Sequence, residues 1–361
     1  MSDNSSDEAF PDLFTTVPQQ PPKWKPGQLN YDQLNQFFQE GYVVVEDFFQ
    51  TRDELDPVRR DVELLVDELA QELHKDGKIS QPYSELDLDH RLVAMETEFP
   101  GTNILMLKRA QLPSCQSFRN LWSNKRLLNV AEQLIGSADL SGHPVWNLRC
   151  KTPRSNATTV PWHQDAGYME STANGVMQVT AWVPLVDATK DTGCVEVMPG
   201  GHRSGKVAKH HGCWRDTWYI MAEPDEMAET LGVDVANAVE CPVPYGGVLL
   251  FNNMIPHRSL ENESDRVRWS LDLRWQKSDQ PVGFYGMKDG VRMRSSDDPN
   301  FKIDWDSFLD IKRHEETGKS LGVSEEDKYN MTITGPWMKK WQMTNVNQHV
   351  QAYLDSCKGS A

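Results

Sequence analysis

Val267 to Trp275 alternates apolar and polar residues without a break. Val267, Trp269, Leu271, Leu273 and Trp275 fall on one face of an extended chain, and Arg268, Ser270, Asp272 and Arg274 on the other. The first face demands a core. The second either meets solvent from a sheet edge or lines the polar interior of a barrel. Short apolar or alternating runs broken by Gly, Pro, Asn and Asp extend from about Asn103 to Leu260, so antiparallel β-structure is expected over that stretch. Its clearest strands are Val176–Leu185, with Gln178, Thr180 and Trp182 on one face, and Val248–Phe251 behind Gly246-Gly247.

Upstream the period changes. Asn30 or Asp32 caps a short helix carrying Leu34, Phe37 and Phe38, Gly41 stops it, and Tyr42–Val45 is a β-branched strand. Val58, Val62, Leu65, Leu69 and Leu73 form one stripe of a long helix ending before Gly77. Residues 1–27, acidic and then Pro-rich, are expected to be a disordered tail. Residues 28–275 form the main domain, and 276–361, with a helix around Trp305, Phe308, Leu309 and Ile311, an extension packed on it.

The charge balance excludes some functions. Of 361 residues, 37 are Lys or Arg and 53 Asp or Glu, a formal charge of -16 that repels phosphate backbones, so no nucleic-acid partner is expected. No run approaches the roughly 18 uninterrupted apolar residues of a membrane span, and neither a signal peptide nor a peroxisomal tripeptide is recognisable. A cytoplasmic location without membrane contact is the expectation. Six scattered cysteines with no CxxC pair fit a reducing compartment. Monomer and homodimer both remain open.

Trp162-His163-Gln164-Asp165 places a His and an acid two residues apart on an extended segment, pointing the same way and able to share a metal. The other His-x-Asp, His74-Lys75-Asp76, sits at a helix end where such side chains diverge. A third ligand candidate, His257, closes an apolar strand. Two histidines and one carboxylate with open positions make the facial triad of non-haem Fe(II) oxygenases. The open positions would take a 2-oxo acid and dioxygen, and a cationic fork is wanted for the acid's far carboxylate. Arg268 is the first candidate, with Arg258 and Arg266 as substitutes. Ninety-four positions separate the two histidines, so only a closed sheet brings them together.

These segments resemble the phytanoyl-CoA dioxygenase family of Fe(II)- and 2-oxoglutarate-dependent oxygenases, which includes the ectoine hydroxylases. The similarity covers Phe37–Val45, Trp162–Asp165, Ala181–Pro184 with Gly193-Cys194, the Met198-Pro199-Gly200-Gly201-His202 turn with one extra Gly, and His257, Ser259, Asn262 and Arg268. The resemblance implies a mainly β fold with flanking helices, a double-stranded β-helix of the jelly-roll or cupin-like kind. It implies iron on His163, Asp165 and His257, which are also the catalytic residues. For 2-oxoglutarate it implies Arg268 and Ser259, with Trp182, Gln164 and Asn147, or Arg149, as further contacts.

The implied reaction is hydroxylation, desaturation or cyclisation at an unactivated C–H bond of a small-molecule metabolite. Dioxygen is consumed, and succinate and carbon dioxide are released. Halogenating relatives carry a small residue where Asp165 stands, so chlorination is not expected. Residues 206–235 are the expected lid, and His202 is expected as a loop residue near the pocket mouth. Arg203, Lys206, Lys209, Arg292 and Arg294 are the cations that could meet an acidic substrate. The rival readings are a catalytically silent barrel that binds a metal or small ligand, and a zinc hydrolase, for which no general base stands at a motif-like spacing.

Overall fold

The long alternating segment becomes the strand Arg268–Lys277, and the rest of the sheet assembles around it. In this computed structural model, which describes residues 8–359 apart from 111, 313–315 and 317–327, it pairs on one side with Val179–Pro184. On the other side it takes Leu140–Gly142 and Asn147–Lys151 in tandem. Val248–Asn252 and Tyr42–Val45 extend the first edge, Val291–Arg294 the second, and every pairing in this seven-stranded sheet is antiparallel. A second antiparallel sheet orders His257–Ser259, Val195–Val197 and Val239–Cys241.

Trp182, Leu249 and Phe251 of the large sheet share one apolar cluster with Val195, Val197 and Cys241 of the small one. The fold is thus mainly β, two antiparallel sheets in a jelly-roll arrangement with helices outside. Trp269, Leu271, Leu273 and Trp275 turn toward those helices, packing in one core with Phe37, Phe38, Val58, Val62, Leu69 and Leu73. Arg268, Ser270, Asp272 and Arg274 are buried on the opposite face, so the polar row lines the interior.

The expected helices form at Tyr31–Glu40, capped by Asn30, at Asp56–Lys75 and at Trp305–Asp310. Gly41 ends the first with φ +89°, and a Cβ there would meet His202 Nδ1 at 2.6 Å. Two expectations fail. Helices, not strands, form at Thr102–Arg109, Gln116–Trp122 and Lys125–Ile135, between the strands Tyr42–Val45 and Leu140–Gly142. Leu127, Leu128, Val130, Ala131 and Leu134 are all buried, a helical period behind the Asn124 cap.

The segment read as a disordered tail is packed over residues 8–27. Pro11–Thr15 is helical, Phe14 is fully buried, and Lys25 pairs with Glu132 at 2.6 Å. Residues 1–7 lie outside the described residues. Beyond the barrel, Trp337, Met338, Val350 and Tyr353 pack with Ile104, Trp218 and Tyr219. No helix among the described residues is long and apolar enough to cross a membrane, and all six cysteines are free.

Candidate metal centre and adjoining cavities

A backbone bridge closes the distance between the two histidines. His163 N–H donates to His257 O at 3.0 Å, and His257 N–H donates to His163 O at 2.9 Å, which brings the rings to 4.2 Å between centroids. Each Nδ1 faces a carbonyl two residues upstream, Pro161 O at 2.9 Å and Ile255 O at 3.1 Å. A carbonyl only accepts, so both Nδ1 atoms carry the proton and both Nε2 lone pairs stay available. They face Asp165 Oδ1, at 3.7 Å from His163 and 4.0 Å from His257. All three residues are buried, with their ligand atoms within 4.8 Å of one another, a span one divalent ion can bridge.

Asp165 opens a 3-10 turn, Asp165–Tyr168, directly after the extended Gln164. Its second oxygen, Oδ2, accepts from Arg274 Nε at 3.0 Å, Arg274 Nη2 at 2.9 Å and Thr180 Oγ1 at 3.2 Å. Burial pushes the Asp165 pKa up. The Arg274 guanidinium and the two imidazoles outweigh this and hold the carboxyl well below the ordinary range. Burial carries His257 down to about 3, keeping its imidazole neutral.

Beside the triad lies a pocket lined in part by Trp182, Ser259 and Arg268. Arg268 is buried, its guanidinium 5.0 Å over the Trp182 ring; Nη1 donates to Ser270 Oγ at 2.6 Å, and Nε has no partner. Lys151, opposite Arg268 in the strand register, is also buried. Its Nζ donates to Thr158 O, Thr159 Oγ1 and, at 3.1 Å, Ser259 Oγ. Burial and then the neighbouring Arg268 depress its pKa.

Among the described residues neither cation has an ion-pair partner. Ser259 Oγ also accepts from Val160 N–H at 2.9 Å, so with both lone pairs engaged its own proton is left to donate into the pocket. A Cβ on Gly193, at φ +78°, would meet Lys151 Cε at 2.5 Å, so that glycine makes room for the lysine stem.

Two of the residues read as cofactor contacts point elsewhere. Gln164 lines none of the cavities around the triad. Its carboxamide donates to Lys206 O and Met254 O and accepts from Ala208 N–H, pinning the 206–210 loop beneath the metal segment. Asn147 sits four residues, about 13 Å of extended chain, from Lys151. It donates to Asp272 Oδ2 at 3.1 Å and lines a second cavity in front of the triad. Arg258 pairs with Glu196, and Arg266 does not line the pocket. Arg203, Lys209, Arg292 and Arg294 pair with Glu40, Glu226, Asp139 and Glu132, all away from the cavities.

His202 is not at a pocket mouth. It is fully buried under Gly41, with Nε2 donating to Phe38 O at 3.0 Å. His210, from the expected lid, is buried too; its Nδ1 donates to Ala208 O and its Nε2 accepts from Gln164 N–H at 3.0 Å.

Burial lowers His202 to about 4 and His210 to about 3. The unfolded chain binds these protons near pH 6.5 and the folded chain does not. The stability they support is therefore complete above pH 6.5 and lost as pH falls toward 4. Urea unfolding of the metal-free protein is expected to lose about 2 kcal/mol per histidine between pH 7 and 5. An unchanged unfolding free energy over that interval would contradict the assignment.

Residues that the sequence reading missed complete the site. Lys151 was legible, since Asn147, Arg149 and Lys151 alternate with Leu148 and Cys150. Arg274 was legible only as a member of the polar face of Val267–Trp275, and its grip on Asp165 spans 109 positions. Tyr168, Trp218, Tyr219, Phe284 and Trp337, which wall the second cavity, carried no local signal.

The comparisons agree with this geometry. The family model for phytanoyl-CoA dioxygenase (PhyH) matches residues 37–270, well over half of the chain. Phytanoyl-CoA dioxygenase domain-containing protein 1 of Danio rerio is 32% identical over 137 residues, 37% of this chain and 44% of that protein. The 1-deoxypentalenic acid 11-beta-hydroxylase of Streptomyces exfoliatus is 27% identical over 179 residues, 46% of this chain and 59% of the relative. The chain thus matches about half the length of these relatives.

Among solved structures, the non-heme monooxygenase ThoJ superposes with a TM-score of 0.52 at 16% identity, over 80% of this chain and 98% of that one. EctD from S. alaskensis, solved with 2-oxoglutarate and 5-hydroxyectoine, gives 0.50 at 20% identity, over 78% and 87%. At these identities the likeness is one of fold. The family match, over segments that bring His163, Asp165 and His257 together, places the chain in the phytanoyl-CoA dioxygenase family.

Proposed function

We propose that this chain is an Fe(II)- and 2-oxoglutarate-dependent dioxygenase that oxidises an unactivated C–H bond of a small-molecule metabolite. The observation that carries the reading is the pairing of two incomplete sites. A triad of two imidazoles and a carboxylate stands next to a pocket whose buried Arg268, like Lys151 behind Ser259, has no ion-pair partner among the described residues. The donor set suits iron, and the orphaned Arg268 Nε and the outward-donating Ser259 hydroxyl suit the far carboxylate of 2-oxoglutarate. Bound together, iron and 2-oxoglutarate supply the oxidising power by activating dioxygen, with succinate and carbon dioxide released.

The protein's part follows from its own residues. Arg274 keeps Asp165 ionised and turns Oδ1 toward the metal position. The Pro161 and Ile255 carbonyls set the tautomers that leave Nε2 free. Arg268, held over Trp182, and Ser259, held by Lys151, orient the co-substrate. Asn147 and Gln164 act at one remove, through Asp272 and through the 206–210 loop.

Protein reconstituted with Fe(II) in air is expected to convert 2-oxoglutarate slowly to succinate without added substrate, and His257→Ala to stop it. Equal succinate from wild type and His257→Ala, or none from wild type with iron bound, would remove the oxygenase reading and favour a silent binding barrel.

A further inference from the structure

The cavity in front of the triad takes its aromatic walls from four separate stretches of chain: Tyr168, Trp218 with Tyr219, Phe284, and Trp337. Trp337 lies beyond the part of the chain that the family model covers, and it is fixed by donating Nε1–H to Trp218 O. Nearby, Lys340 and Trp341 hydrogen-bond the Ala166, Gly167 and Met169 carbonyls behind the metal segment. The C-terminal segment therefore builds one side of the space where a substrate must lie.

Among the rings sits Arg149, which lines this cavity, the one beyond it and the pocket of Arg268. Its Nε donates to Asp272 at 2.9 Å, and Tyr219 shares the cavity wall with it. The Tyr168 hydroxyl is buried in this wall; the Ile220 N–H beside it can only donate, so the phenol's own proton has no acceptor. A buried phenol proton on a cavity wall without an acceptor is costly in an empty site and satisfied by a ligand oxygen.

Charge identifies that oxygen. Among the described residues lining these cavities the cations are Lys108, Arg149, Arg258, Arg268 and Arg274 and the carboxylates Asp165 and Asp272, with Arg258 paired to Glu196. This count rests on the cofactor reading in one respect: iron(II) and the dianionic co-substrate cancel each other. A positive surplus then remains even if buried Lys151 gives up its proton. A neutral substrate would leave that surplus standing. A cationic one would find rings but no free carboxylate, because Asp165 and Asp272 each hold an arginine.

We propose that this cavity binds a small carboxylic acid as substrate. The carboxylate is received by Arg149 with the Tyr168 and Tyr219 hydroxyls, and the apolar body lies against Trp218, Phe284 and Trp337. The adjoining cavity, toward Leu107, Leu148 and Ile333, shares Arg149 and these three rings. The two volumes are about 130 and 120 Å³. Each is near the roughly 150 Å³ that accommodates one benzene ring, so the body is of one or two rings.

The test uses cyclohexylacetate, 3-phenylpropionate and 1-adamantanecarboxylate, each against its primary carboxamide and the matching primary amine. Binding is read by tryptophan fluorescence, since Trp218 and Trp337 line the cavity, first on the metal-free full chain and then with Fe(II) and 2-oxoglutarate under argon. Acids are expected to bind about tenfold or more tightly than amides.

Tyr168→Phe, which deletes only the hydroxyl, is expected to weaken the acids about tenfold and leave the amides unchanged. The charge-neutral pair Arg149→Met with Asp272→Asn is expected to abolish the preference. An acid seated on Arg268 instead would be indifferent to Tyr168→Phe.

Amides or amines binding as tightly as acids, acid binding that both variants retain, or no binding by any acid would overturn the proposal. The chelate band of iron with 2-oxoglutarate is recorded on the same samples. Its absence beside an intact acid preference sinks only the cofactor reading, and its presence without the preference sinks only this one.

Discussion

Asp165→Asn is expected to bind Fe(II) more than about 100-fold more weakly than wild type and to be less stable by about 3 kcal/mol. The two effects have separate origins. Metal binding needs an anionic Oδ1 opposite two neutral imidazoles, and the amide removes the charge. Stability falls because Arg274, 6% exposed at its side chain, loses the carboxylate that takes both its Nε and Nη2, while its neighbour Asp272 is 3.9 Å away and already holds Arg149. Asp165→Asn with Arg274→Met should therefore regain much of the stability and none of the iron, checked by urea unfolding and Fe(II) titration. Full metal affinity in Asp165→Asn would remove Asp165 from the ligand set. Unchanged stability would mean that Arg274 finds another partner.

Arg268→Met is expected to show the opposite combination. Affinity for 2-oxoglutarate should fall about 100-fold or more, because the guanidinium is the cation placed to take the far carboxylate. Unfolding free energy of the ligand-free protein should be equal to or above that of wild type. The substitution removes a buried charge with no ion-pair partner among the described residues and an Nε with no acceptor. The monocarboxylate 2-oxobutyrate, which lacks the far carboxylate, should bind wild type and variant alike. Anaerobic titrations with both acids, alongside urea melts, check this. A variant that is destabilised but keeps its 2-oxoglutarate affinity would make Arg268 a structural residue.

What could be read from the sequence was what is periodic or local. Alternation in Val267–Trp275 reported both the core face and a polar face that lines the interior, because a strand pleat sorts side chains without knowledge of its partners. His163 and Asp165 are close in sequence, and the step to His257 needed only that the sheet close on itself. The structure supplies that step as a two-bond backbone bridge. Contacts between distant segments left no such trace. Phe14 carries the 8–27 segment into the core, but only against surfaces built by later residues, so an acidic, Pro-rich stretch read as tail.

Ile104-Leu105-Met106 is too short a run to separate helix from strand, and the helix Thr102–Arg109 depends on its packing. His202 stands in a Gly-rich turn, which suggests exposure; only the close approach of Gly41 accounts for its burial. The aromatic cavity is the extreme case, since its rings come from positions 168 to 337 and no window of sequence contains them together.

The most direct test of the account is an anaerobic Fe(II) titration of the full chain at saturating 2-oxoglutarate, following the weak visible charge-transfer band of the chelate in wild type and in Arg268→Met. The account requires the band to form at one iron per chain in wild type and to need about 100-fold more 2-oxoglutarate in the variant. Iron bound without any band in wild type, or a band with the same 2-oxoglutarate dependence in both proteins, would contradict it.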